Sequence, residues 1–133
     1  MTLQELSQLT YLKKEIEINQ KQLEEIEQTI EKRMGYLSNV LNFSVLKVND
    51  EIMQEMMICK LLIEQRYKKS IYAYKKLNQF ISRIEDSMLR QVVMLRFIQG
   101  LSWVQVALHL GGGNSADGVR MMVKRYLKKY GNL

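Results

Sequence analysis

Apolar residues recur along the first part of the chain at alternating spacings of three and four: Leu9, Leu12, Ile16, then Leu23, Ile26 and Ile30, with Asn19 in the gap. This is a heptad seam interrupted once. The other faces are rich in Glu, Gln and Lys. The pattern predicts one long amphipathic helix over residues 2–33, and Thr2 and Glu5 have the spacing of a capping box. A helix this polar is not stable alone, so its stripe has to meet another helix. Gly35 is expected to end it. Residues 36–49 mix apolar residues with Asn and Ser and read as a connector with some buried side chains. Asp50 offers a second N-cap. Helical spacing resumes over 51–81 through Ile52, Met56, Cys59, Ile63, Tyr67, Ile71, Tyr74, Leu77 and Ile81.

Two long helices of matched length predict an antiparallel hairpin. The alternative is an intermolecular coiled coil through the first helix. The two are compatible, because a hairpin can also dimerise, and a homo-oligomer, favouring a dimer, is expected. Asn19 reads as a register or pairing device.

The last third is punctuated differently. Asp86 can cap a helix running to about Gln99, with Met88, Leu89, Val92, Val93, Leu95, Phe97 and Ile98 as its apolar content. Gly100 sits where a left-handed glycine ends a helix. Ser102 then caps a short helix, 103–110, whose Val104, Ala107, Leu108 and Leu110 are expected on a packed inner face. Gly111, Gly112 and Gly113 allow a sharp turn. Asn114 or Ser115 caps a final helix over 116–130. One face of that helix carries Val119, Met122, Val123, Tyr126, Leu127 and Tyr130. The other carries Asp117, Arg120, Met121, Lys124, Arg125, Lys128 and Lys129. The expected fold is all-α: a long, coiled-coil-like helical hairpin at 1–81, then a helix-turn-helix at 82–133.

Charge sharpens this division. The chain carries a net +6. Residues 1–85 hold 13 Lys/Arg against 12 Asp/Glu, and residues 86–133 hold 7 against 2, so the excess lies in the second segment. An apolar face for the core and a basic face for duplex DNA is what a recognition helix needs. Arg120, one turn from the N-terminus, is placed to read a base edge, and Lys124, Arg125, Lys128 and Lys129 to contact phosphates. Ser102 and Gln105, with the first amides of the short helix, could touch the DNA backbone. Asn114, Ser115, Asp117 and Met121 complete the candidate surface. Residues 60–83 hold seven Lys/Arg against one Glu. They read as a solvated face, or as a second surface for phosphate or an acidic protein.

The stretch MLRQVVMLRFIQGLSWVQVALHLG resembles region 4 of sigma-70-type factors in its Leu-Arg, Gly-Leu-Ser and Val-Ala-x-x-Leu-Gly landmarks. GGGNSADGVRMMVKRYLKK is similar to small sigma-region-4-like regulators of Firmicute phages and prophages. The resemblance covers about residues 80–130. It implies DNA binding by the last helix and control of phage gene transcription. The turn is about two residues longer than in ordinary region 4, and the N-terminal helices do not resemble the rest of a sigma factor.

Other chemistry finds little support. The three glycines follow no strand and precede no Gly-Lys-Ser/Thr, which argues against a nucleotide site. His109 and Cys59 are each single in the chain and too far apart in sequence to suggest a metal site. Cys59 reads as a small core residue and Trp103 as core filling. No nucleophile–base set or carboxylate pair is visible, so no enzyme, cofactor or metal is expected. One cysteine and no signal-like N-terminus fit a reducing cytosol, which the resemblance implies is that of a bacterial host cell, and no apolar run is long enough for a membrane span. The expected function is a sequence-specific duplex-DNA-binding transcriptional regulator of phage type. The alternatives are a small terminase-like DNA-packaging protein and a helical protein-interaction module. If the long helices do not assemble the protein, RNA polymerase becomes the partner to seek.

Overall fold

The computed structural model describes residues 1–40 and 50–131, with residues 38–40 by backbone alone. Helix α1 spans Leu3–Val40 and α2 spans Glu51–Ser82. Helix α3 (Ser87–Val93) runs into a π-helical stretch, Met94–Ile98, followed by α4 (Trp103–Leu110) and α5 (Ala116–Tyr130). The described residues are all-helical, with no strand among them.

The predicted capping box starts α1. The Thr2 amide donates to the Glu5 carboxylate at 3.0 Å, and the Glu5 amide donates to the Thr2 hydroxyl at 3.1 Å. Gly35 does not end the helix, contrary to expectation. A mid-helix glycine costs about 1 kcal/mol but forbids nothing, and buried Leu37 continues the seam beyond it. The predicted connector is thus helical over 36–40, and its remainder, 41–49, lies outside the described residues. Asp50 caps α2 as predicted, accepting from the Met53 and Ile52 amides.

The chain divides into two compact units: Glu15–Ile71, and Met1–Lys14 with Tyr72–Leu133. This cut differs from a division at residue 81. It passes through both long helices, and the second unit takes in residues 1–14 and 72–81.

In the unit Glu15–Ile71, the two helices run antiparallel. Gln22, Glu27 and Arg33 on α1 meet Arg66, Lys60 and Asp50 respectively, so rising numbers on one helix face falling numbers on the other. The α1 seam is therefore met within the chain. The Arg33–Asp50 pair is bidentate, at 2.7 and 2.8 Å. It is the geometry in which a guanidinium grips a carboxylate best. This bond, more than any other interaction, holds Asp50 below the usual aspartate range and raises the Arg33 pKa. Asn19 is buried at its seam position, and its Nδ2 has no hydrogen-bond partner.

The α2 stripe differs from the predicted one. Met53, Met56, Lys60, Ile63, Tyr67 and Ser70, then Tyr74, Leu77 and Ile81, are all buried or half-buried. Their spacings alternate three and four throughout. Ile52, Cys59 and Ile71, read as stripe residues, are each one place off this register and are exposed. Lys60 and Ser70 take the seam instead. A heptad search that follows apolar residue types slips wherever the seam itself is polar.

The second unit has one core. Leu6 and Leu9 of α1 join Leu77, Phe80, Ile81 and Ile84 with Leu89, Val92, Val93, Leu95 and Phe97, and with residues of α4 and α5. Asp86 caps α3 through the Leu89 amide at 2.9 Å. The predicted helix to Gln99 widens into the π-helical stretch after Val93, which the residue pattern does not signal. Its Phe97 carbonyl accepts from the Thr10 hydroxyl at 2.7 Å, which ties α1 to this stretch. Gly100 ends it with φ +74°.

Candidate nucleic-acid interface

Helix α4 begins with a reciprocal cap. The Gln105 amide donates to the Ser102 hydroxyl at 3.2 Å, and the Ser102 amide donates to the Gln105 side-chain oxygen at 2.9 Å. Both side chains are exposed, so each is occupied by the cap on one side and open to solvent on the other.

The packed face of α4 is Trp103, Val106, Ala107 and Leu110, of which Val106 and Ala107 are buried. Val104 and Leu108, expected on that face, are instead 59% and 76% exposed. The spacing 103, 106, 107, 110 is the i, i+3, i+4, i+7 stripe of one helical side, and it competes with an equally apolar stripe at 104 and 108 in so short a helix. Trp103 is only partly buried. It stands edge-on to Phe97, with ring centroids 6.0 Å apart, beneath the Arg96 guanidinium at 5.0 Å.

The segment to α5 is built on three successive left-handed glycines, with φ +68°, +64° and +76° at Gly111, Gly112 and Gly113. That conformation costs an L-residue about 1–2 kcal/mol. Asn114 closes the turn by donating from Nδ2 to the Gly111 carbonyl at 2.7 Å. Ser115, not Asn114, caps α5, accepting from the Gly118 amide at 3.0 Å.

Helix α5 divides as the sequence implies. Val119 and Val123 are buried, and Met122, Tyr126 and Leu127 pack partly against the same core. Tyr130 is 38% exposed but lies 5.0 Å from the Tyr126 ring. Desolvation by burial, chiefly, raises the Tyr126 pKa. On the other side, Lys124, Arg125, Lys128 and Lys129 are exposed, as is Met121. Arg120 is half-exposed, and its Nη2 lies 3.5 Å from a carboxylate oxygen of the exposed Asp117. An exposed pair of this kind contributes little, about 0–1 kcal/mol, so Arg120 is readily released.

All five cations of α5 therefore lie on one side of it. The two other basic residues of 86–133 serve the fold. Arg90 donates to the Ile84 carbonyl at 2.7 Å, and Arg96 donates to the Leu101 carbonyl at 2.9 Å. The charge excess read over the whole segment is thus concentrated on one helix, which composition could not show. His109 is exposed, and among the described residues no three His, Cys, Asp or Glu side chains gather as a metal site would require. Among the same residues no helix is long and apolar enough to cross a membrane.

Comparison with protein-family models, curated proteins and solved structures finds no match.

Proposed function

We propose that this chain is a sequence-specific duplex-DNA-binding regulator, with α4 and α5 as a helix-turn-helix and α5 as its recognition helix. One observation carries the reading. Arg120, Lys124, Arg125, Lys128 and Lys129 occupy the solvent side of a helix whose other side, Val119 and Val123, is fixed in a core. A helix held this way presents its cations without reorganising, which is what groove binding requires. Ser115 and Gly118 form the end of α5 that would point at the bases. Asp117 holds Arg120 until a guanine, or another acceptor, replaces it. Ser102 and Gln105 lie at the start of α4, where the Trp103 and Val104 amides, not used by the cap, suit a phosphate. The proposed setting is transcription control of phage type in the bacterial cytoplasm, with RNA polymerase as the protein partner to seek.

The test is selection of bound duplexes from a random library, followed by anisotropy titration at several salt concentrations. Four phosphate contacts would lower affinity by about 10²-fold between 50 and 200 mM salt. Arg120→Ala should cost about 1–3 kcal/mol on the selected site alone, whereas Lys128→Ala should weaken every duplex and reduce the salt slope by about 1. No enrichment, or an affinity insensitive to salt, overturns the reading.

A further inference from the structure

Helix α2 carries a second apolar stripe, on the side away from α1. Ile63 and Ser70 are buried, while Met57, Ile58, Leu61 and Leu62 are 48–58% exposed. Ile58, Leu61, Leu62 and Gln65 follow the i, i+3, i+4, i+7 spacing of a helix face built to meet something. None of them is needed for the intramolecular seam, which the opposite side of α2 already supplies.

The charges on this face identify the occupant. Exposed Glu55 lies on the N-terminal side of the Leu61–Leu62 centre, and exposed Lys69 on the C-terminal side. They stand about 10–11 Å from that centre in opposite directions, at 1.5 Å per residue. A helix with acid on one side of an apolar centre and base on the other is complementary to itself when reversed. A two-fold axis at the centre sets Leu61 against Leu61 and Leu62 against Leu62. It lays Ile58 along the aliphatic stem of Gln65 and brings Glu55 of each copy beside Lys69 of the other. At 100° per residue, Glu55 and Lys69 fall on the same flank of that pairing, whereas Lys68 falls on the opposite flank.

We propose that a second copy of this chain docks here, α2 against α2 and antiparallel, in an isologous interface. The inference needs nothing from α5 and stands whether or not that helix touches DNA.

The experiment is sedimentation equilibrium on the full chain at concentrations up to about 100 µM, with circular dichroism as the check on folding. The wild type should approach twice the 15.7 kDa of one chain. Leu62→Asp should be monomeric with unchanged helicity. Glu55→Lys sets two like-charged pairs across the axis and should weaken association by about ten-fold or more, as should Lys69→Glu. The double variant Glu55→Lys, Lys69→Glu should recover the wild-type affinity. In a Cys59→Ser background, Leu61→Cys should form a disulfide-linked dimer in air, because the two-fold axis brings each copy of residue 61 to the other. A monomeric wild type overturns the proposal, as would a ring of many subunits. So does a double variant no tighter than the single ones.

Discussion

Leu6 lies more than 80 residues before the α3–α5 core that it helps to close, which makes it a sharp probe of how that core is built. The side chain is fully buried, and it touches the same cluster as Val92, Val106 and Val119. Leu6→Ala removes three carbons. At about 0.8 kcal/mol per methylene, the transfer loss is about 2.4 kcal/mol. The cavity left behind adds more, and fully buried leucine truncations cost about 2.7–5 kcal/mol in total. An expected loss of about 3 kcal/mol is a large fraction of the roughly 5–15 kcal/mol that holds a domain together. For a chain of this length it corresponds to a fall in Tm of about 10 °C. Urea unfolding followed by circular dichroism measures the total. Hydrogen exchange at the Val119 and Val123 amides measures whether α5 feels it. Tyr11, on the same helix and 67% exposed, supplies the control: Tyr11→Ala should change stability by less than about 0.5 kcal/mol. If Leu6→Ala is as mild as Tyr11→Ala and leaves α5 protection unchanged, α3–α5 closes its core without α1, and the reasoning fails.

Two further outcomes are expected. Gly113→Ala should destabilise by about 1–2 kcal/mol through backbone strain alone, because a methyl group there meets nothing within 4 Å at φ +76°; Gly113→Asn should cost less, and a rise in Tm for the alanine variant would show that the turn is not left-handed. The Arg33 bond that depresses the Asp50 pKa adds stability at neutral pH. Because the folded pKa is lowered, that stability is fully present above the unfolded value of about 3.9 and is lost as pH falls through the lower folded value. The difference in Tm between wild type and Asp50→Asn should therefore be constant near neutrality and shrink below about pH 4; a difference independent of pH removes the pair from the account.

Much of this architecture was legible in the residues. Local rules placed the Thr2–Glu5 and Ser102 caps, the Asp50 and Asp86 caps and the Gly100 stop, because a cap is a contact between near neighbours in the chain. The α1 seam and the two faces of α5 were equally readable, since a buried stripe on a long helix repeats enough times to be unambiguous. Gly35 misleads because a glycine signals a helix end only when the downstream pattern also stops, and Leu37 continues it. What needed the tertiary structure was everything set by a distant partner. Lys60 and Ser70 take seam positions that apolar counting assigned to Cys59 and Ile71. Val106 displaces Val104 and Leu108 from the inner face of α4, because eight residues hold too few turns to decide between two stripes. Arg90 and Arg96 are spent on carbonyls of the fold, leaving the free Lys and Arg charge of residues 86–131 on α5. Leu6 and Leu9 belong to the core of helices that begin some 80 residues later, since burial is decided by what the whole chain brings to one place.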